Sequence, residues 1–180
     1  MAATTTLLTI EDFERLPDDV AKGHELVDGE LVDVSGNTPV HNRLKDRLLA
    51  WLLFFAEGCG LGTVISEQEY DFEGNAHGPD VSFFGPAKAP LIDPKKRVQR
   101  FVPDLAVEIA SWSDTYENLI RKSERYLRAG TSEVWLISPE AREVVIHTLS
   151  FTRTLRGTDA IETDLLPGFS ITVERLFQNL

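Results

Sequence analysis

Apolar and polar positions along the chain follow two periods, and the switches between them mark out the elements. "TIEDFERLP" (9–17) predicts a short helix, opened by Thr9 as a cap and closed by Pro17. "HELVDGELVDV" (24–34) has period two on either side of Asp28-Gly29, which predicts a tight hairpin with a two-residue turn. "HNRLKDRLLAWLLFFAE" (41–57) returns to a helical period, with Leu44, Leu48, Leu52 and Phe55 down one side. Its later part, with Trp51, Leu53 and Phe54, is apolar nearly all round. Such a helix is deeply buried or forms part of a subunit interface, and the glycine-rich "EGCGLG" ends it.

Three strands are expected next, "TVISEQEYDF" (63–72), "DVSFFG" (80–85) and "DLAVEIA" (104–110). The proline-rich, basic stretch between the last two, 86–103, predicts an exposed loop. "TYENLIRKSERYLRAG" (115–130) predicts a helix with Gly130 at its C-terminal cap. "SEVWLISP" and "EVVIHTLS" predict strands, with another near Phe151, before the closing segment "LPGFSITVERLF". The expected class is α/β: a mixed β-sheet flanked by helices, with an N-terminal β-hairpin.

Length, composition and charge refine this picture. A length of 180 residues predicts one domain over 1–180, able to bury a core without staples. The single cysteine, Cys59, rules out an internal disulfide framework or a cysteine-cluster metal site. No apolar run approaches the ~20 residues of a membrane span, and "MAATTTLLTIEDF" does not read as a secretory signal, so a cytoplasmic location and no membrane partner are expected. The formal net charge of −11 counts against general affinity for nucleic acid. The basic clusters at 94–100 and 121–128 read first as solvated faces.

Candidate chemistry begins at Glu108, a carboxylate in the middle of an apolar strand. Leu105, Val107 and Ile109 share one face of that strand, whereas Ala106, Glu108 and Ala110 share the other. Glu108 so flanked by alanines suits a carboxylate reaching into a cleft, or one on a wet strand face. Asp104 lies roughly 13 Å along the strand, too far to share an ion. Asp80, at the start of its own strand, is the better partner if the two strands neighbour each other. Two carboxylates, a backbone carbonyl and waters suit Mg²⁺ or Mn²⁺ rather than zinc. Lys122 falls at the margin of the buried stripe of its helix, beside Tyr126, with Arg121, Arg125 and Arg128 on the opposite side. Glu25 and Glu30 lie on the same side of the hairpin, and either could complete an acidic site. His41 reads as a capping or packing residue. No zinc-type constellation, nucleophile elbow or phosphate-cradling glycine loop is present.

Six segments also occur in the order of a known family: "HELVDGELV", the His-Asn opening of the long helix, "GPDVSFF", "PDLAVEIASWSDT", "RKSERYLRAGTSEVWLISPE" and "LPGFSI". The chain resembles the Uma-two family of putative restriction endonucleases, within the PD-(D/E)XK nuclease superfamily, from about Thr9 to Phe177. The resemblance implies that Asp80 and Glu108 bind Mg²⁺ (with Mn²⁺ as a substitute), with the carbonyl of Ile109 as a third ligand. The superfamily's usual lysine position, two beyond the strand glutamate, is Ala110 here, and its task passes to Lys122. The family's hairpin acid maps to Glu25, with Glu30 as a second candidate. "HGPD" lacks the family's basic residue before Pro-Asp, and "SWSD" carries Trp112 where the family has proline. The implied function is a Mg²⁺-dependent endonuclease acting on nucleic acid, DNA before RNA, as a homodimer. A nuclease fold that binds without cutting is the alternative, and a phosphoesterase for small nucleotides a third.

Overall fold

The computed structural model describes residues 7–34, 37–112 and 114–180. Two short helices, α1 (Ile10–Glu14) and α2 (Asp18–Ala21), precede the hairpin of β1 (His24–Val27) and β2 (Glu30–Asp33). Thr9 caps α1 in a reciprocal box with Asp12, as the sequence pattern demands. Asp28 and Gly29 both adopt positive φ (51° and 84°), which gives the turn the twist of its flanking strands. The long helix α3 (Pro39–Gly58) begins two residues ahead of the predicted start, because Thr38 caps it and Pro39 takes its first turn.

The expected strand over 63–72 is two strands. β3 (Thr63–Ser66) and β4 (Glu69–Phe72) join different sheets, and the chain breaks between them at Glu67, whose φ is 53°. β5 (Asn75–His77) and β6 (Val81–Phe84) follow. The segment 86–103 is only partly the exposed loop expected, since it contains β7 (Val98–Gln99), whose two residues are buried. After β8 (Leu105–Ile109) come α4 (Tyr116–Arg128), β9 (Glu133–Ser138), β10 (Glu143–His147) and β11 (Thr152–Arg156). A small pair, β12 (Ala160–Glu162) with β13 (Ser170–Thr172), and the one-turn helix α5 (Val173–Leu176) complete the described chain.

Six strands form the principal sheet in the order β11-β10-β9-β8-β6-β3, parallel only between β8 and β9. That parallel step is the one joined by a helix, α4, as crossover geometry requires. One face carries the larger core, where Leu44, Leu48 and Leu52 of α3 meet Leu105, Val107 and Ile109 of β8. Ala106 faces the other way, against Tyr126 and Leu127 of α4 and Tyr70 and Phe72 of β4. A second sheet, ordered β2-β1-β5-β4-β7, lies on this side and carries α1. Tyr70 Oη and Ser82 Oγ, 2.7 Å apart, tie the two sheets together. The hairpin therefore forms one edge of this second sheet. This arrangement sets β1, β5, the head of β6, the tail of β8 and one side of α4 around a common cleft.

Candidate active site

Register alone brings the first two acids together. Val81 pairs with Val107 in the antiparallel β6–β8 ladder, so one step further Asp80 stands opposite Glu108. Asp80 Oδ2 accepts the backbone N–H of Ile109 at 2.7 Å, which fixes the carboxylate at the end of the ladder. Its other oxygen lies 2.9 Å from His41 Nε2, in the first turn of α3. The positive end of that helix favours an anion at this place. Burial works against a charge on His41, but the hydrogen bond and charge of Asp80 raise its pKa above the ordinary imidazole value. His41 is thus an Asp80 partner rather than a simple capping residue.

The hairpin acid arrives by the same logic. Leu26 pairs with Ala76 across β1 and β5, which puts Glu25 opposite His77. Glu25 Oε2 accepts from His77 Nδ1 at 2.8 Å, while Oε1 accepts from the N–H of Gly78 at 3.1 Å and from Lys122 Nζ at 2.9 Å. Arg125 donates to His77 Nε2 (3.2 Å) and Asn75 Oδ1 (2.9 Å), and pairs with Asp28 at 3.0 Å. A guanidinium facing Nε2 requires that nitrogen to be the acceptor, so Nδ1 carries the proton given to Glu25. Burial, above the influence of Glu25, lowers the His77 pKa and keeps the ring neutral. Glu30 is exposed, so Glu25 is the hairpin acid that enters the cleft.

Lys122 joins the two halves. Its ammonium lies 2.9 Å from Glu25 and 3.1 Å from Glu108. Tyr126, one turn further along α4, donates its hydroxyl to the same Glu108 oxygen at 2.6 Å. Glu108 is buried, and burial together with the charges of Asp80 and Glu25 outweighs Lys122 and moves its pKa up to about 7. Glu25 is buried too, yet Lys122 and the His77 hydrogen bond overcome that cost and hold it down at about 2. Between these carboxylates the Lys122 pKa rises above its ordinary value despite burial. Within the chain, then, the cation that meets Glu108 is the Lys122 ammonium.

The open space in front of these groups has a volume of about 1010 Å³. Glu25, Asp80, Glu108, Ile109 and Lys122 all border it. Among the described residues no three His, Cys, Asp or Glu side chains are gathered as a closed metal cage. Asp80 and Glu108 offer hard oxygens from two adjacent strands, a donor set that fits an open Mg²⁺-type site completed by waters and substrate oxygens. Sequence reasoning placed Glu25, Asp80, Glu108 and Lys122 as candidates, and the structure gathers all four in one cleft. It passed over His77, and it set Arg125 on the solvated side of α4 although its side chain is only 11% exposed. The odd-even pairing of Glu25 with "NAH" was available to find His77, but only once β5 is recognised as a strand.

A mixed sheet with an Asp at the head of one strand, a Glu in the next and a flanking helix defines the restriction-endonuclease-like class of α/β folds. The family model for Uma2, described as putative restriction endonuclease, matches residues 10–174, and the chain belongs to that family. A crystal structure of a putative nuclease belonging to DUF820, from Anabaena variabilis, superimposes with a TM-score of 0.84 at 18% identity, covering 94% of this chain and 97% of that one. That likeness establishes the shared fold. None of the curated proteins matches the sequence.

Proposed function

We propose that the protein is a Mg²⁺-dependent endonuclease that hydrolyses phosphodiester bonds of nucleic acid, DNA before RNA. The observation that carries this reading is Lys122, held 2.9 Å from Glu25 and 3.1 Å from Glu108 on the cleft where Asp80 faces Glu108 across the ladder. Asp80, Glu108 and the carbonyl of Ile109 would hold the ion, with Mn²⁺ as a substitute. A bound Mg²⁺ supplies polarisation of the scissile phosphate and a lowered pKa for water.

The chain's own groups divide the remaining work. Lys122 stays protonated, because its pKa is raised, so it serves as a hydrogen-bond donor and a positive charge rather than as a base. It orients the attacking water or meets the charge that develops on the phosphate oxygens. Glu25 has both oxygens engaged by Lys122, His77 and Gly78, so its part is to aim the ammonium. Water adds to phosphorus as the P–O3′ bond breaks, and the leaving oxygen takes up a proton. A 5′-phosphate and a 3′-hydroxyl result.

Cleavage of a mixed oligonucleotide pool in Mg²⁺ tests the reading. Lys122→Ala should lower the rate by about two to three orders of magnitude, the usual loss for one preorganised donor, while metal affinity is retained. A variant that cut at the normal rate would remove Lys122 from the mechanism. The silent binding-module reading would gain if nucleic acid bound without a divalent ion and Glu108→Gln made no difference. The homodimer is a second proposal, supported by Phe54 of α3, 83% exposed beside the half-buried Trp51.

A further inference from the structure

Among the described residues of the loop after Glu108, Trp112 is the large side chain whose bulk the fold does not use. It is 81% exposed, in a chain whose other two tryptophans are buried or half-buried. Ser111 and Asp114, on either side of it in the sequence, are tied to each other. Asp114 donates its N–H to the Ser111 carbonyl (3.2 Å), and its carboxylate accepts both the N–H (2.6 Å) and the hydroxyl (2.8 Å) of Ser111. Ser111 and Asp114 line the cleft, and Trp112 follows Ser111 directly, four residues beyond Glu108.

The charges around the cleft show why an indole matters there. Eight carboxylate side chains border it against five lysines and arginines. Most of those cations already face acids: Arg97 meets Glu69 (2.6 Å), Arg121 meets Glu117 (2.9 Å), Arg125 meets Asp28, and Lys122 meets Glu25 and Glu108. Most of the basic stretch 94–100 is likewise engaged, with Lys96 on Glu14 and Arg100 on Glu11, Glu14 and Asp71. A duplex is gripped through its phosphates, and few free cations remain here for that. Base faces inside a duplex are stacked on each other, whereas an unpaired base offers its face to an exposed aromatic ring.

Resting on the reading of this cleft as a nuclease site, we propose that Trp112 is a base-stacking platform and that the substrate is an unpaired nucleotide segment: a single strand, a loop or an overhang. Specificity for strandedness then comes from the loop between β8 and α4, and cleavage chemistry from the residues behind it.

The test is fluorescence anisotropy of a labelled single-stranded oligonucleotide and of its duplex, with Ca²⁺ in place of Mg²⁺, for the wild type, Trp112→Ala and Trp112→Phe. The wild type should bind the single strand at least about tenfold more tightly than the duplex. Trp112→Ala should weaken single-strand binding by about 5- to 150-fold, the range for loss of one stacked base. Trp112→Phe should keep most of it, and duplex binding should be unchanged in both. Unaltered thermal melting of the variants establishes that the fold is intact. A wild type that prefers duplex, or a Trp112→Ala protein that binds single strands normally, overturns the inference. Cleavage of duplex in Mg²⁺ by such a protein would leave the nuclease reading standing, whereas failure to bind or cut any nucleic acid would end both.

Discussion

Lys122 and Arg125 sit three residues apart on one helix and hold the two halves of the cleft in opposite senses. Lys122 bridges Glu25 to Glu108, and Arg125 locks the His77 ring that supports Glu25. Arg125→Met should cost about 1–3 kcal/mol in urea unfolding, since it leaves His77 Nε2 without its donor and Asn75 Oδ1 with the Asp28 N–H alone. A loss under about 0.5 kcal/mol would show that water replaces the guanidinium. Glu25 gives a pH signature. Its folded pKa of about 2 lies below the ordinary value, so its stabilisation is whole above pH 4.5 and is lost as pH falls toward 2. The gap in melting temperature between the wild type and Glu25→Gln should therefore narrow steadily over that window. A gap that stays constant would mean that Glu25 is not held ionised by Lys122 and His77. These residues were unequally legible in the sequence. Glu108 declared itself by parity in an apolar strand, and Asp80 by its place at a strand head. Arg125 did not, because helical angle alone assigns it to solvent, whereas the hairpin folds over that side of α4 and buries it.

The elements were read correctly where one period governs a long run. Helices α3 and α4, the β1–β2 hairpin and the strands β8 to β10 all follow their hydrophobic pattern. The failures lie where the backbone turns without a break in composition. "TVISEQEYDF" keeps a strand-like residue mix throughout, but Glu67 at positive φ divides it, and its halves serve different sheets. The strand β7 hides in a proline-rich basic stretch because Val98 and Gln99 are buried by their neighbours, not by a pattern of their own. Gly62 is the sharpest test at this scale. A Cβ there would stand 2.3 Å from the Phe84 carbonyl oxygen and 2.7 Å from the Phe83 ring, at the entry to β3. Gly62→Ala should cost more than about 1 kcal/mol, visible as a melting temperature lowered by several degrees. Gly74, with nothing near its Cβ position and only its positive φ at stake, should tolerate alanine better. Equal effects at the two glycines would contradict the packing assigned to the β3–β6 edge.

At the scale of the molecule, the fold is a restriction-endonuclease-like scaffold in which acids outnumber cations around the cleft and most of those cations already face a carboxylate. No helix among the described residues is long and apolar enough to cross a membrane. The exposed Phe54 on α3 supports association of two copies, and sedimentation at micromolar concentration should show a species of twice 20.1 kDa. A single 20.1 kDa species would refute it. The central claim is that Asp80 and Glu108 form an open site for a divalent ion in front of Lys122. Calorimetric titration of Mn²⁺ in the presence of a single-stranded oligonucleotide, with the wild type, Asp80→Asn and Glu108→Gln, addresses it most directly. One binding event present in the wild type and absent from both variants is the predicted result. Indistinguishable curves for all three proteins, with oligonucleotide bound, would contradict it.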